Sequence, residues 1–261
     1  MLYSSEENNK VKGMIINMNK IITVTNLRKS YGDKAALKNL SLSVCSGEVF
    51  GLLGHNGAGK TTAIECILGV RASDGGNVSV LGMNPDKDRK KLFENVGVQF
   101  QQSGYPYKIK VHEICEVRSS LYKNALDYKK LLADFGLLGL ENSFVEELSG
   151  GERQKLSVLL ALIPDPKVLF LDELTTGLDT KARHDVWDHL KNLKESGTTI
   201  FLTSHFMDEV EALCDRICIL RHGEVYVEGT VKEVIAMTPY DRLEEAYLWL
   251  TENEASENEE D

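Results

Sequence analysis

Apolar and polar side chains alternate over residues 21–27, the period of a half-exposed strand. A turn over 28–32 follows, then a second strand over 40–44, before Ser46-Gly47-Glu48 turns the chain into Val49-Phe50-Gly51-Leu52-Leu53. That run is apolar throughout and too short for a helix, so it predicts a strand buried on both faces. Helical spacing takes over at 63–68 and stops at Gly69, a residue suited to a helix C-cap. Strands are expected at 77–81, ended by Gly82, and at 96–100. From 105 to 148 the pattern changes. Ile114, Val117 and Leu121, then Leu131, Leu132 and Phe135, describe a small helical insertion.

The second half resumes the alternation of strand and helix. Ser149-Gly150-Gly151-Glu152 has the S-x-x-E form of a capping box and opens a helix through Ile163, which Pro164-Asp165-Pro166 breaks. Val168-Leu169-Phe170-Leu171 reads as a central parallel strand and delivers Asp172-Glu173 at its end. An amphipathic helix then runs through Leu190, and the strand 199–203 ends at Ser204-His205. Segments 217–220 and 225–227 flank the turn Arg221-His222-Gly223-Glu224 as a hairpin. Thr230 and Glu233 form a second capping box, and Leu243, Ala246, Tyr247 and Leu250 mark one more helix. The expected architecture is an α/β core with an antiparallel sheet ahead of it and a helical insertion at about 103–163. A disordered extension, 1–20, precedes the 21–235 domain, and a helix with an acidic tail, 236–261, follows it.

Composition narrows the function classes. The net charge is −10, and six of the last ten residues are acidic. No basic cluster stands out, so the positive footprint that nucleic-acid binding needs is missing and no nucleic-acid partner is expected. The five cysteines are odd in number and lie in apolar segments. They read as buried free thiols in a reducing compartment, with Cys214 and Cys218 one helical turn apart but lacking the companions of a metal site. There is no run of 18 apolar residues and no apolar leader. A cytoplasmic location is expected.

The chemistry concentrates after the first buried strand. Gly54-His55-Asn56-Gly57-Ala58-Gly59-Lys60-Thr61-Thr62 is a GxxxxGK[ST] loop between a strand and a helix, the phosphate-binding P-loop. Its glycines let backbone N–H groups converge on phosphate oxygens at a helix N-terminus. Lys60 is placed to neutralise the β/γ-phosphates and Thr61 to ligate Mg²⁺. Asp172 is a second candidate for the metal, and Glu173 for polarising an attacking water. A nucleoside triphosphate is the expected ligand.

The later motifs carry a resemblance. The P-loop, Leu148-Ser149-Gly150-Gly151, 168–173, Gly177-Leu178-Asp179 and His205, in that order, resemble the five motifs of ABC-transporter nucleotide-binding subunits. The likeness runs from about Ile21 to Val234. Glu152 stands where that family usually has Gln, and Leu174 where it usually has Pro. The resemblance implies the ABC ATPase fold, ATP and Mg²⁺ as cofactors, and roles for particular residues. Tyr31 would stack on adenine. Gln101, or Gln102 if the register is one off, would touch Mg²⁺ and water and join core to insertion. His205 would contact the γ-phosphate. Ser149, Gly150, Gly151 and Glu152 would grip ATP bound to a second copy or a homologous subunit, and Asp179 would cross the same interface.

It further implies ATP hydrolysis coupled to a separate transmembrane permease, with the chain peripheral at the inner face of the cell membrane. Segments 104–111 and 175–179 are more similar to exporter-type subunits, so efflux is favoured. An importer-type subunit, or a soluble ABC ATPase acting on nucleic acid or the ribosome, remains an open alternative.

Overall fold

The computed structural model describes residues 19–101, 104–175 and 177–252. Residues 1–18 of the expected N-terminal extension, Gln102 and the acidic tail from 253 lie outside the described residues, whereas Lys20, placed in that extension, begins the first strand.

Two sheets organise the chain. The first has the order β2-β1-β4, built from β1 (Lys20–Tyr31), β2 (Lys34–Cys45) and β4 (Gly75–Val80), all antiparallel. The second has the order β5-β6-β7-β3-β8-β9. Its parallel body comprises β5 (Val96–Gln99), β6 (Val168–Asp172), β7 (Thr199–Thr203), β3 (Val49–Leu53) and β8 (Arg216–Arg221), with β9 (Glu224–Thr230) antiparallel at the edge. Every residue of β3, β6 and β7 is buried, because helices or the other sheet cover both faces. Phe50, Phe170 and Phe201 point to one side, where adjacent ring centroids lie 5.6 and 5.4 Å apart. Their sequence neighbours Val49, Leu169, Leu171, Ile200 and Leu202 point to the other.

Helix α1 (Lys60–Ile67) is sandwiched between the two sheets, with Ile64 and Ile67 packed among Ile22, Leu27, Leu40 and Phe50. Gly69 follows it at φ 63, the left-handed exit expected of a C-cap glycine. A short α2 (Arg89–Leu92) precedes β5. The helical insertion contains α3 (Val111–Ser120) and α4 (Tyr128–Asp134) and leads into α5 (Gly150–Leu162). Helices α6 (Thr180–Glu195) and α7 (Met207–Leu213) follow β6 and β7. Finally α8 (Val231–Ala236) and α9 (Leu243–Glu252) close the described chain. Leu243, Ala246 and Leu250 of α9 are buried, and Leu243 and Leu250 join Met207, Val210 and Ile219 in a third core.

Several expectations needed correction. The turn at 28–32 is strand: β1 continues through Tyr31, held by the pairs Lys29↔Leu37 and Tyr31↔Lys34, and the chain reverses at Gly32-Asp33. The Asp74 carboxylate clamps this extension, accepting from Ser30 N–H at 2.6 Å and Lys29 Nζ at 2.9 Å. In α3 the buried stripe is Val111 and Cys115, whereas Val117 and Leu121 are exposed. Cysteine packs as a small hydrophobe there, which shifts the true face by one residue from the Ile114-based stripe. Cys214 and Cys218 do not share a helix; the first ends α7 and the second lies in β8. Helix α7 itself was unforeseen. The thiols are free, four of them buried, and burial pushes Cys66 up to about 11 and Cys115 to about 12.

Candidate nucleotide site

The P-loop emerges from β3 and wraps onto α1. Gly59, the residue before the helix, sits at φ 106, and a Cβ built on it would lie 2.5 Å from the Ala36 carbonyl oxygen of β2. The antiparallel hairpin therefore presses directly on the loop, and only glycine fits. Gly54 is equally confined, 2.5 Å from the Leu220 carbonyl oxygen by the same measure. Lys60 is almost fully buried, and its ammonium donates to Gly54 O at 2.7 Å and His55 O at 3.2 Å. Burial lowers its pKa, while Glu173 and Asp172 oppose that shift. A cation this poorly solvated has reason to donate to phosphate oxygens.

A cavity of about 430 Å³ opens over the loop. Asn56, Gly57, Gly59, Lys60, Thr61 and Thr62 form its floor, and Tyr31, Lys34 and Ala36 its hairpin wall. Gln101, Glu173 and His205 close the far side. Tyr31 is 44 % exposed, with the Arg71 guanidinium 5.2 Å and the Lys29 ammonium 5.8 Å from its ring centroid. Gly54, His55, Ala58 and Asp172 are not part of the cavity wall; Gly54, Ala58 and Asp172 are buried behind it.

Both carboxylates sit at the C-terminal end of β6, on the edge of the parallel sheet where ligands of open α/β sheets bind. Asp172 is fully buried, and its Oδ1 accepts from Thr203 Oγ1 at 2.6 Å. Among the described residues its Oδ2 has no hydrogen-bond partner. Glu173 follows at φ 52, with Oε2 accepting from Gln101 Nε2 at 2.7 Å and Oε1 lying 3.8 Å from His205 Nδ1. Gln101, Glu173 and His205 are thus brought together from the ends of three adjacent strands. Leu174, at the position usually Pro in the family it resembles, is buried, and its carbonyl accepts from Gln154 Nε2 at 2.6 Å.

Ser149, Gly150, Gly151 and Glu152 lie at the start of α5 and Asp179 at the start of α6, and none of them lines the cavity. The capping box is formed: Glu152 N–H donates to Ser149 Oγ at 3.3 Å, while Ser149 N–H and O–H donate to Glu152 Oε2 at 2.8 and 2.7 Å. These two donors hold the Glu152 carboxyl below its ordinary pKa. A folded-state pKa below the unfolded one gives stability that is complete above the unfolded carboxylate value and fades as pH falls through the folded one. Ser149→Ala is accordingly expected to lower stability by about 1 kcal/mol and to flatten that acid-side loss. Urea unfolding at several pH values from about 7 down to about 3, through the folded-state value, measures both. Asp179 is itself an N-cap, accepting from Ala182 N–H at 2.8 Å.

Two residues escaped the sequence reading. Thr203 ends β7 beside Asp172, and nothing in its local pattern distinguishes it from an ordinary β-branched strand residue. Glu209, on α7, is fully buried, with Trp187 Nε1 donating to Oε1 at 3.2 Å, and burial raises its pKa. Its fate was legible only if α7 had been recognised.

A P-loop between β3 and α1, with two adjacent acids at the end of the parallel strand β6, defines a P-loop nucleoside-triphosphatase. Comparison with known proteins gives the family. The ABC transporter family profile matches residues 37–176. Nod factor export ATP-binding protein I of Rhizobium etli is 41% identical over 221 residues, covering 82% of this chain and 69% of that protein. Its counterpart in Sinorhizobium fredii is 42% identical over 216 residues, covering 80% of this chain and 62% of that protein. Among solved structures, an ATP-binding subunit of an ABC transporter superposes with TM-score 0.82 at 26% identity, covering 89% of this chain and 100% of that one. A dimeric bacterial ABC transporter cassette gives 0.72 at 26% identity, with 80% and 98% covered. The chain belongs to the ABC transporter family, as an ATP-binding cassette that hydrolyses ATP. Among the described residues, no helix is long and apolar enough to cross a membrane.

Proposed function

We propose that this cassette works as one half of an ATP-closed pair that drives a separate membrane permease, in the direction of export. The observation that carries the pairing is the separation of two anion-binding elements. The P-loop and Glu173 line one cavity, whereas the Ser149 end of α5 opens elsewhere, free to face a second copy or a homologous subunit. A similar cassette has been solved as a dimer. Export is supported by the names of the Nod factor export proteins, of which the chain spans 62–72% in length. Within this assembly the cassette is residues 21–235, with 103–163 as the insertion toward the permease. The 1–20 and 236–261 segments flank it, and the chain sits peripherally on the cytoplasmic side of the membrane.

In this account the P-loop N–H groups of 54–62 and Lys60 hold the triphosphate, and Tyr31 stacks on the adenine. The residues also fit Mg²⁺. Asp172 offers an unpartnered buried carboxylate oxygen, and the Thr61 hydroxyl and Gln101 lie beside the cavity. So small an oxygen set suits an ion that keeps waters and shares phosphates. When bound, Mg²⁺ supplies charge neutralisation for the transferring phosphoryl group. Glu173 accepts a proton from the attacking water, oriented by Gln101 and by His205, whose ring also faces the γ-phosphate position. Ser149 to Glu152 and Asp179 contribute from the partner copy. Specific turnover of the purified chain is therefore expected to fall on dilution, approaching second order in protein. Turnover strictly proportional to protein over a hundredfold dilution would remove the pairing.

A further inference from the structure

Thr203 is fully buried at the end of β7, opposite Asp172 in the parallel register of β6 and β7. Its hydroxyl makes two directed contacts. The O–H donates to Asp172 Oδ1 at 2.6 Å, and the oxygen accepts the Glu173 N–H at 3.0 Å. A hydroxyl has one proton to give, so the directions are fixed by the partners: a carboxylate can only accept and an amide N–H can only donate. The same Glu173 N–H also reaches the Thr203 carbonyl at 3.2 Å. One side chain therefore grips two adjacent acids, the first by its carboxylate and the second by its backbone.

Both grips bear on geometry. With Oδ1 engaged, Asp172 presents Oδ2 as the carboxylate oxygen left without a partner among the described residues. Glu173 occupies φ 52, a left-handed conformation that a non-glycine residue keeps only where its surroundings hold it there. We propose that Thr203 is a positioning residue for ATP hydrolysis, whose hydroxyl makes Asp172 a one-oxygen Mg²⁺ ligand and holds Glu173 turned toward the cavity. This rests on the metal role given to Asp172 above. The competing account is that Thr203 is a β-branched residue filling a strand end, its hydroxyl merely satisfied locally. Valine separates the two, since it keeps the shape and the strand preference and loses only the hydroxyl.

The test uses Mn²⁺ as a spectroscopic stand-in for Mg²⁺, with Glu173→Gln in every protein so that ATP persists. Mn²⁺ binding to the ATP complex, read by electron paramagnetic resonance, is expected to weaken about tenfold or more in Thr203→Val. Thr203→Ser should stay within about threefold of the parent, and ATP affinity in EDTA should stay within about twofold in both. With Glu173 restored, Thr203→Val should lose about tenfold or more in kcat at saturating Mg·ATP, with little change in KM. Equal Mn²⁺ affinity and kcat in Thr203→Val and the parent would overturn the inference, as would a Ser variant as impaired as the Val one. Where Thr203→Val does not fold, Thr203→Ala is judged by the same criteria. A parent that binds ATP equally with and without Mn²⁺ and turns over in EDTA removes the metal role of Asp172 itself. That failure shows in the parent before any change at Thr203.

Discussion

Glu173→Gln is expected to lower ATP turnover by about 10²–10⁴-fold while leaving ATP affinity within a fewfold of the parent. The substitution is nearly isosteric, so the contact with Gln101 at 2.7 Å can persist in altered polarity, and the backbone at φ 52 faces the same constraint. What disappears is the basicity. Phosphoryl transfer asks little covalent chemistry of the protein, and proton acceptance from water is one of the few steps a side chain performs directly. Lys60 and the P-loop are untouched, so nucleotide should still be held. In the proposed assembly a pair that closes on ATP and cannot cleave it should accumulate, and sedimentation with and without Mg·ATP would show it. Turnover within threefold of the parent would exclude Glu173 as the base and leave the cavity's remaining polar groups, Gln101 and His205, to orient water on their own.

The parts of this site legible in the sequence are those whose chemistry demands a fixed local pattern. The P-loop is read from 54–62 because phosphate binding needs glycines, a lysine and a hydroxyl at set spacings next to one strand and one helix. Ser149 and Glu152 are read from the helix-capping rule alone, and all three bonds of their box are formed. Buried strands β3 and β6 are read from the unbroken apolar runs 49–53 and 168–171, since both of their faces are covered.

The parts not legible depend on long-range contact. Tyr31 reaches the cavity because β1 runs past the expected turn, and that extension depends on Asp74 reaching back to Ser30 and Lys29. Nothing near residue 31 announces a carboxylate 43 positions away. Thr203 owes its role to register, because parallel pairing sets it opposite Asp172. Val117 and Leu121 have helical spacing yet stay exposed, because Val111 and Cys115 already fill the face that α5 covers. Periodicity gives a helix its stripe but does not say which stripe meets the neighbour.

Gly59→Ala is expected to reduce ATP affinity by more than about a hundredfold while the chain stays folded. Two separate penalties meet at this position. The backbone at φ 106 lies where an L-residue is strained, a cost of order 1–3 kcal/mol. The new methyl would also stand 2.5 Å from the Ala36 carbonyl oxygen and 3.0 Å from Leu37 Cδ2. Neither is the tip of a flexible polar chain: Ala36 belongs to the β2 backbone and Leu37 is a buried core residue. Relief must come from the P-loop, which carries few packed side chains apart from Ala58 and Lys60. A shift of the loop by about an ångström misaims the N–H groups at the start of α1, and binding that rests on converging donors loses several of them together. The large apolar clusters on either side remain, so thermal unfolding should stay cooperative with a modestly lowered midpoint. Equilibrium binding of a fluorescent ATP analogue to the purified variant measures the loss. An unchanged affinity would mean that the hairpin yields instead, and that contact between the antiparallel sheet and the loop does not set the loop's shape.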